Sequence, residues 1–403
     1  MTTLSPRFEA ALSKEALAAP PSGIVEVMVH GFDKPGIVPL WAGEGDLPTP
    51  PFVADAATRS LAAGETFYTK QTGIDDLRQA LAAYHDRMYG GLFGKPFSPD
   101  RFVVTNGGMH AIQLAVAAFT GPGDEVLIPT PAWPNFDGAT RVRGATPVEV
   151  PMSLGNDGWV LDLDRLEAAV TPRTKLLFVN SPSNPTGWTA DRATLKALLD
   201  LSRKHGFWIV ADEIYGRFYY GADGPMAPSF HEIIDETDRV VFVNTFSKNW
   251  AMTGWRIGWL ELPPTLVGTF VNLIQYSSSG TAVFMQRAGI AALGQGESFV
   301  AHQVERARRG VNLVADTLAS TGRVRFARPD GAFYLFFAID GEPDTRRLGL
   351  RLVDEANVGI APGTAFGGAG AGYMRICVAR GEERLRLAAD RLKHWLDGSK
   401  QML

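Results

Sequence analysis

The chain is 403 residues long, 45% hydrophobic and 20% charged, with a formal net charge of −4. That length exceeds what one small core organises and points to two domains. The composition excludes a disordered or fibrous chain, and the small net charge gives no electrostatic footprint for nucleic acid or an anionic membrane.

Residues 1–20, MTTLSPRFEAALSKEALAAP, mix acids and bases without an apolar core, so no signal peptide is expected. No apolar run approaches the ~20 residues that span a bilayer. One cysteine, Cys377, leaves no intrachain disulfide and fits a reducing compartment, so the expectation is a cytoplasmic protein. A short helix candidate and the Pro/Gly-rich stretch PGIVPLWAGEGDLPTPP make residues 1–49 an arm rather than a domain.

From about residue 100 a regular rhythm begins. Apolar or β-branched runs at 101–105, 124–129, 175–180, 207–212 and 239–244 read as strands, and helical patterns at 109–119 and 192–206 lie between some of them. Strands alternating with helices predict a largely parallel α/β sheet covered on both faces, which is why the strands are continuous apolar runs. Beyond about residue 290 the pattern changes to a long amphipathic helix (296–320), then the strands RVRFARP, GAFYLFFAI and YMRICVA. The organisation expected is a large domain over 50–290 and a smaller α+β domain from 1–49 and 291–403, with the boundary inside a long helix.

In open α/β sheets ligands bind outside the carboxyl ends of the strands. The residues there are Asn106-Gly107-Gly108, opening a helix; Thr130, Pro131 and Trp133; Ser181-Pro-Ser-Asn184-Pro-Thr-Gly187; Asp212, Glu213 and Tyr215; and Thr245-Phe-Ser247-Lys248, with Arg256 beyond. An amine, a carboxylate, a phenol, an amide, a glycine-rich helix start and an indole thus converge on one region. Read singly, each has a plainer meaning. Lys248 is a surface lysine, Asp212 a helix N-cap, Asn184 a turn residue, and Trp133 and Tyr68 ordinary aromatics.

Their order and spacing are more specific. SPSNPTG, ADEIY, SKNWAMTGWRIGW and YMRI, with WAGEGDLPTP upstream, resemble the class I/II aminotransferases of pyridoxal-5′-phosphate (PLP) fold type I, of the aspartate aminotransferase kind. The similarity runs from about Leu40 to the C-terminal helix. It implies a mostly parallel seven-stranded sheet flanked by helices, a smaller α+β domain, and PLP held by Lys248 as a Schiff base. Asp212 would face the pyridinium nitrogen, Tyr215 and Asn184 the phenolic oxygen, and Trp133 the ring. Gly108 and Met109 N–H groups, Thr245, Ser247 and Arg256 would hold the phosphate. Arg375 would bind the substrate carboxylate, joined by a Gly43 N–H and Asn184. Tyr68 would reach the phosphate of a second subunit, making a homodimer with shared sites. The reaction implied moves an amino group from an L-amino acid to a 2-oxo acid by a ping-pong route, the freed lysine moving the Cα proton. The resemblance also implies cis bonds at Thr130–Pro131 and Asn184–Pro185.

Two departures bear on the substrate. The segment NLIQYSSSGTAVFMQ (272–286) has no arginine for a distal carboxylate, Arg287 coming too late, and the position that is lysine in some bacterial relatives is Met109. A neutral or aromatic amino acid is the resulting expectation. A C–S β-lyase of the same fold is the alternative reading, and a PLP-sensing regulator is disfavoured because no helix-turn-helix region precedes the first matching motif. The seven histidines show no metal-ligand spacing; His110 reads as a packed or site-lining residue, and Gly363, Thr364 and Phe366 as lining the substrate entrance.

Overall fold

A computed structural model describes residues 6–221 and 224–398. Seven short runs form the main sheet: β1 (Phe102–Thr105), β2 (Glu125–Thr130), β3 (Thr146–Pro151), β4 (Thr174–Asn180), β5 (Trp208–Asp212), β6 (Val240–Thr245) and β7 (Gly258–Glu261). Their order across the sheet is β1-β7-β6-β5-β4-β2-β3. β7 is antiparallel to β1 and β6, and the other neighbours are parallel.

The central strands are largely apolar because both faces are covered. Leu177, Ile209, Ala211 and Phe242 pack on one face against Leu195, Leu198 and Leu199 of helix Arg192–His205. Phe178, Val210, Val241 and Val243 pack on the other against Ala111, Ile112 and Ala115 of helix Gly108–Phe119. Local chemistry sets the helix ends. The Asp191 carboxylate accepts the Thr194 N–H at 2.7 Å, and the helix it starts stops at Gly206, whose φ of 78° is left-handed.

A second sheet follows: β8 (Val324–Phe326), β9 (Tyr334–Ile339), β10 (Ala361–Pro362) and β11 (Tyr373–Cys377), ordered β8-β9-β11-β10 and antiparallel throughout. Helices Glu297–Ala319, Thr345–Ala356 and Glu382–Gly398 cover it. The N-terminal arm joins this layer, Val38–Pro39 pairing in parallel with Val358–Gly359. Residue 290 lies within helix Val283–Gln295, and Gly296 then separates that helix from the next. Only glycine fits there, since a Cβ would stand 2.4 Å from Trp250 Nε1 and 2.5 Å from the Ala292 carbonyl oxygen.

Strands β3 and β7 have no counterpart in the sequence reading. β3 is an edge strand with mixed burial, and β7 is four residues ending in Glu261, a carboxylate that is fully buried. Among the described residues no helix is long and apolar enough to cross a membrane.

Candidate active site

A cavity of about 480 Å³ opens at the carboxyl ends of the parallel strands, where β5 and β6 meet the second sheet. Every residue expected to hold the cofactor or the substrate carboxylate lines it except Tyr68, which is 95% exposed. β6 delivers Thr245 and the short helix Phe246–Asn249, with Ser247 and Lys248. Thr245 starts this turn. Its hydroxyl oxygen accepts the Ser247 N–H at 3.1 Å and lies 2.9 Å from Ser247 Oγ.

Lys248 Nζ donates to the Gly43 carbonyl at 2.6 Å, which ties the arm to the lysine. Burial lowers the Lys248 pKa to about 8, because the charged ammonium is denied water. Asp212, at the end of β5, is 1% exposed, and among the described residues its carboxylate accepts only the Ile214 N–H, at 3.3 Å. Burial raises it to about 7, against smaller lowering effects of that N–H and the Lys248 charge.

The loop after β4 is braced from below. The Asn180 amide donates to the Asp212 carbonyl at 3.1 Å and accepts the Asn184 N–H at 2.8 Å. Asn184 Oδ1 in turn accepts Arg375 Nη1 at 3.0 Å. Arg375, from β11, also donates to the Trp41 carbonyl and lies between the Tyr334 and Phe366 rings, 4.6 and 5.0 Å from their centroids. It is 2% exposed, forms no ion pair among the described residues, and its Nε lacks any partner. A buried cation without a counter-ion at a cavity wall is a site for an anion.

On the opposite wall Gly107, with a φ of 83°, opens helix Gly108–Phe119. A Cβ there would stand 2.5 Å from Arg256 Nη2, so the glycine lets backbone amides and a guanidinium converge. Arg256 itself is held by Nη1 donating to the Thr253 carbonyl at 2.8 Å. Thr130–Pro131 and Asn184–Pro185 are cis as expected; Ser181–Pro182 is cis as well, which the sequence reading did not anticipate. His110 is a packed residue, its Nδ1 accepting the Asn106 N–H and its Nε2 3.0 Å from Ser277 Oγ. Thr364 and Phe366 line an adjoining chamber that shares Trp133 and Pro134 with the main cavity; Gly363 does not.

The family model of aminotransferase class I and II matches residues 35–392. The chain belongs to the class I and II aminotransferases. It is 36% identical to an aspartate aminotransferase of Thermotoga maritima over 90% of this chain and 92% of that one. It is 35% identical to aromatic-amino-acid aminotransferase 2 of Thermococcus litoralis, over 91% and 93%. The solved aspartate aminotransferase of Thermus thermophilus with maleate superposes at a TM-score of 0.87 with 36% identity, covering 95% of this chain and 99% of that one.

As a member of this family the protein is a PLP-dependent transaminase. The donor set fits that cofactor: a buried carboxylate with one N–H partner suits a cationic ring nitrogen, an amine of lowered pKa suits an aldehyde, and a glycine-opened helix start beside Arg256 suits a phosphate. Sequence reading missed Asn180, Tyr334, Ile24, Val25 and Asn135, all of which line the aminotransferase cavity. The alternation of β9 puts Tyr334 on the cavity face, but a tyrosine in an apolar strand gives no signal of that by itself.

Proposed function

We propose that the protein transfers the amino group of an L-amino acid with an uncharged, preferably aromatic, side chain to a 2-oxo acid, with Lys248 as the covalent anchor of the cofactor. The observation that carries this reading is the pairing of Lys248 with Arg375 across one cavity, an amine of lowered pKa facing a buried cation that lacks a counter-ion.

In this reading Asp212 faces the ring nitrogen, Tyr215 and Asn184 the phenolic oxygen, and Trp133 the ring face. Gly108 and Met109 N–H groups, Thr245, Ser247 and Arg256 hold the phosphate. Tyr68, wholly exposed on one copy, completes that site in a second, so the working unit is a homodimer. Residues 50–290 then form the cofactor domain, and 1–49 with 291–403 the small domain that carries Arg375. A cytoplasmic location goes with it, supported by a lone buried cysteine.

When bound, the cofactor supplies an electron sink for the bond between Cα and its hydrogen. The chain's own residues do the rest. Arg375 Nη groups and the free Nε take the amino acid's carboxylate as a fork. With a pKa of about 8, a useful fraction of Lys248 is neutral near pH 7, and its Nζ would take the Cα proton and deliver it to the C4′ carbon of the bound cofactor. The amino group stays on the enzyme between two half-reactions, which is the ping-pong order.

The substrate class follows from what remains of the lining. Once Lys248, Asp212, Arg256 and Arg375 are assigned, the other wall residues include Ile24, Val25, Trp41, Met109, Ile112 and Trp133, and none carries a charge. Arg287 is tied to Glu65 and Asp76 away from the cavity, and Arg141 of the adjoining chamber pairs with Asp137 at 2.7 Å. No unpaired cation is left for a distal carboxylate.

The test is the visible absorption of the PLP-loaded protein titrated with single amino acids. Phenylalanine or tyrosine should bleach the band at lower concentration than aspartate, and a 2-oxo acid should restore it. Bleaching by aspartate alone overturns the substrate class. Pyruvate released from a β-substituted amino acid without a 2-oxo acid overturns transfer in favour of elimination, and a protein that takes up no PLP overturns the reading as a whole.

A further inference from the structure

Tyr334 has no role in the reading above, yet its ring and hydroxyl contact two residues that do. It sits on β9 opposite Cys377 of β11, which puts it diagonally beside Arg375 on the same face of the second sheet. It is fully buried and lines the cavity. Its ring carries the Arg375 guanidinium 4.6 Å from the centroid, a cation–π arrangement. Its hydroxyl lies 2.7 Å from the Tyr215 hydroxyl, with the two rings edge to face at 82°. The backbone of Gly43 closes the remaining side, where a Cβ would stand 2.3 Å from the Tyr334 oxygen.

We infer that Tyr334 is a positioning residue that aims the Tyr215 proton into the cavity while seating Arg375, linking the cofactor side of the site to the substrate carboxylate. This rests on the assignment of Tyr215 to the cofactor's phenolic oxygen.

The argument is one of donor counting. Each phenol has one O–H, and burial raises both pKa values, Tyr215 well above the ordinary phenol, so both protons are present at neutral pH. The described residues give Tyr334 no other hydrogen-bond partner for its hydroxyl than Tyr215. Two directions are therefore open to the pair. If Tyr215 donates to Tyr334, the Tyr215 proton is spent there and the Tyr334 proton is left without an acceptor among the described residues. If Tyr334 donates to Tyr215, the Tyr215 proton is freed toward an oxygen anion there, and each bond polarises the other. An anionic oxygen in the cavity selects the second direction. Tyr334 thereby strengthens a donor it stands behind, without touching the ligand oxygen itself.

The same ring is the floor under Arg375. Removing the hydroxyl alone should thus alter the cofactor's environment and leave the carboxylate fork in place. Removing the ring should alter both.

The test is the pKa of the visible band of the PLP-loaded holoenzyme, read by pH titration without substrate. Hydrogen bonds donated to the phenolic oxygen favour its anionic form, so losing or weakening one raises that pKa. Tyr215→Phe should raise it most. Tyr334→Phe should raise it by a fraction of that, and should add nothing in the Tyr215→Phe background, because its effect passes through that hydroxyl. Tyr334→Leu should in addition raise KM for the amino acid more than it lowers kcat. Gly43→Ala, which crowds the Tyr334 oxygen without removing it, should move the band in the same direction. An unmoved band in Tyr334→Phe, or an equal shift with and without the Tyr215 hydroxyl, overturns the inference. If Tyr215→Phe itself leaves the band unmoved, it is the assignment of Tyr215 that fails.

Discussion

Asp212 and Glu213 are consecutive, both buried and both raised in pKa by burial, to about 7 and about 8, yet they belong to opposite kinds of site. Asp212 faces the cavity with one N–H partner. Glu213 faces away into a polar cluster whose side chains lie mostly against one another. Ser229 Oγ lies 2.8 Å from Glu213 and 2.7 Å from His231 Nδ1, and His231 Nε2 lies 2.7 Å from Glu261. Arg101 donates to the same Glu261 at 3.0 Å, and His85 Nδ1 stands 3.2 Å from it.

Proton counting closes this second cluster. Trp259 donates to His85 Nε2 at 3.2 Å, so the His85 proton sits on Nδ1, facing Glu261. A protonated Glu213 donates to Ser229, Ser229 to His231, and His231 to Glu261. The one carboxylate charge that remains, on Glu261, meets the one arginine charge. His85, His231 and Glu261 bring ligand-type atoms within 4.8 Å of one another, but His85 Nδ1 already carries a proton there, and the Trp259 N–H blocks the other tautomer. The cluster is a structural network whose charges are balanced within it. The cavity around Lys248 is an incomplete one, and its missing partners describe its ligands.

The contrast can be broken in three ways. The largest effect is expected from Glu261→Gln, which strands the buried Arg101 charge and faces amide hydrogens toward two imidazole N–H groups. A loss of about 3–5 kcal/mol in denaturant unfolding should result, with the visible band of the surviving holoenzyme unshifted. A shifted band with little lost stability would make this cluster part of the active site. Next, Arg375→Met removes a cation that already lacks a counter-ion. KM for the amino acid should rise about 10- to 100-fold in steady-state assays, while unfolding of the cofactor-free protein changes little. An unchanged KM would remove Arg375 from substrate binding.

The smallest effect is a slope. Burial pushes the Glu213 pKa up from the ordinary 4.5 to about 8, so the folded chain holds the extra proton between those values and stability falls as pH rises through that window. Glu213→Gln keeps a donor to Ser229 and removes the titration. Its stability relative to the parent should therefore improve from pH 6 to pH 9 in urea titrations. Parallel curves would mean that Glu213 is ionised in the fold and that the proton count above is wrong.

The strand-end residues were legible in the sequence because the fold exposes only the ends of otherwise apolar strands. Lys248, Asp212 and Asn184 stand where chemistry is not needed for packing. Arg375 was legible only through the family resemblance, since an arginine within YMRIC has no periodicity that marks it as buried. Tyr334 and the Glu213–Glu261 cluster were not legible. Both depend on pairings across long sequence gaps, 119 residues for Tyr215 with Tyr334 and 30 for His231 with Glu261. Glu261 in addition lies fully inside, which nothing in its sequence neighbourhood marks. The helices at 109–119, 192–206 and 296–320 were placed within a residue or so of Gly108–Phe119, Arg192–His205 and Glu297–Ala319, their amphipathic spacing being local information.

The bond from Arg375 to the Trp41 carbonyl spans 334 positions, and the arm that carries Trp41 pairs with Val358–Gly359. During synthesis the first wall of the site therefore waits for nearly the last. The glycine-opened helix, Asp212 and Lys248 all leave the ribosome well before Arg375. A nascent chain can bring Gly107, Asp212 and Lys248 together early, but the wall that joins Trp41 to Arg375 closes only after residue 375 is made.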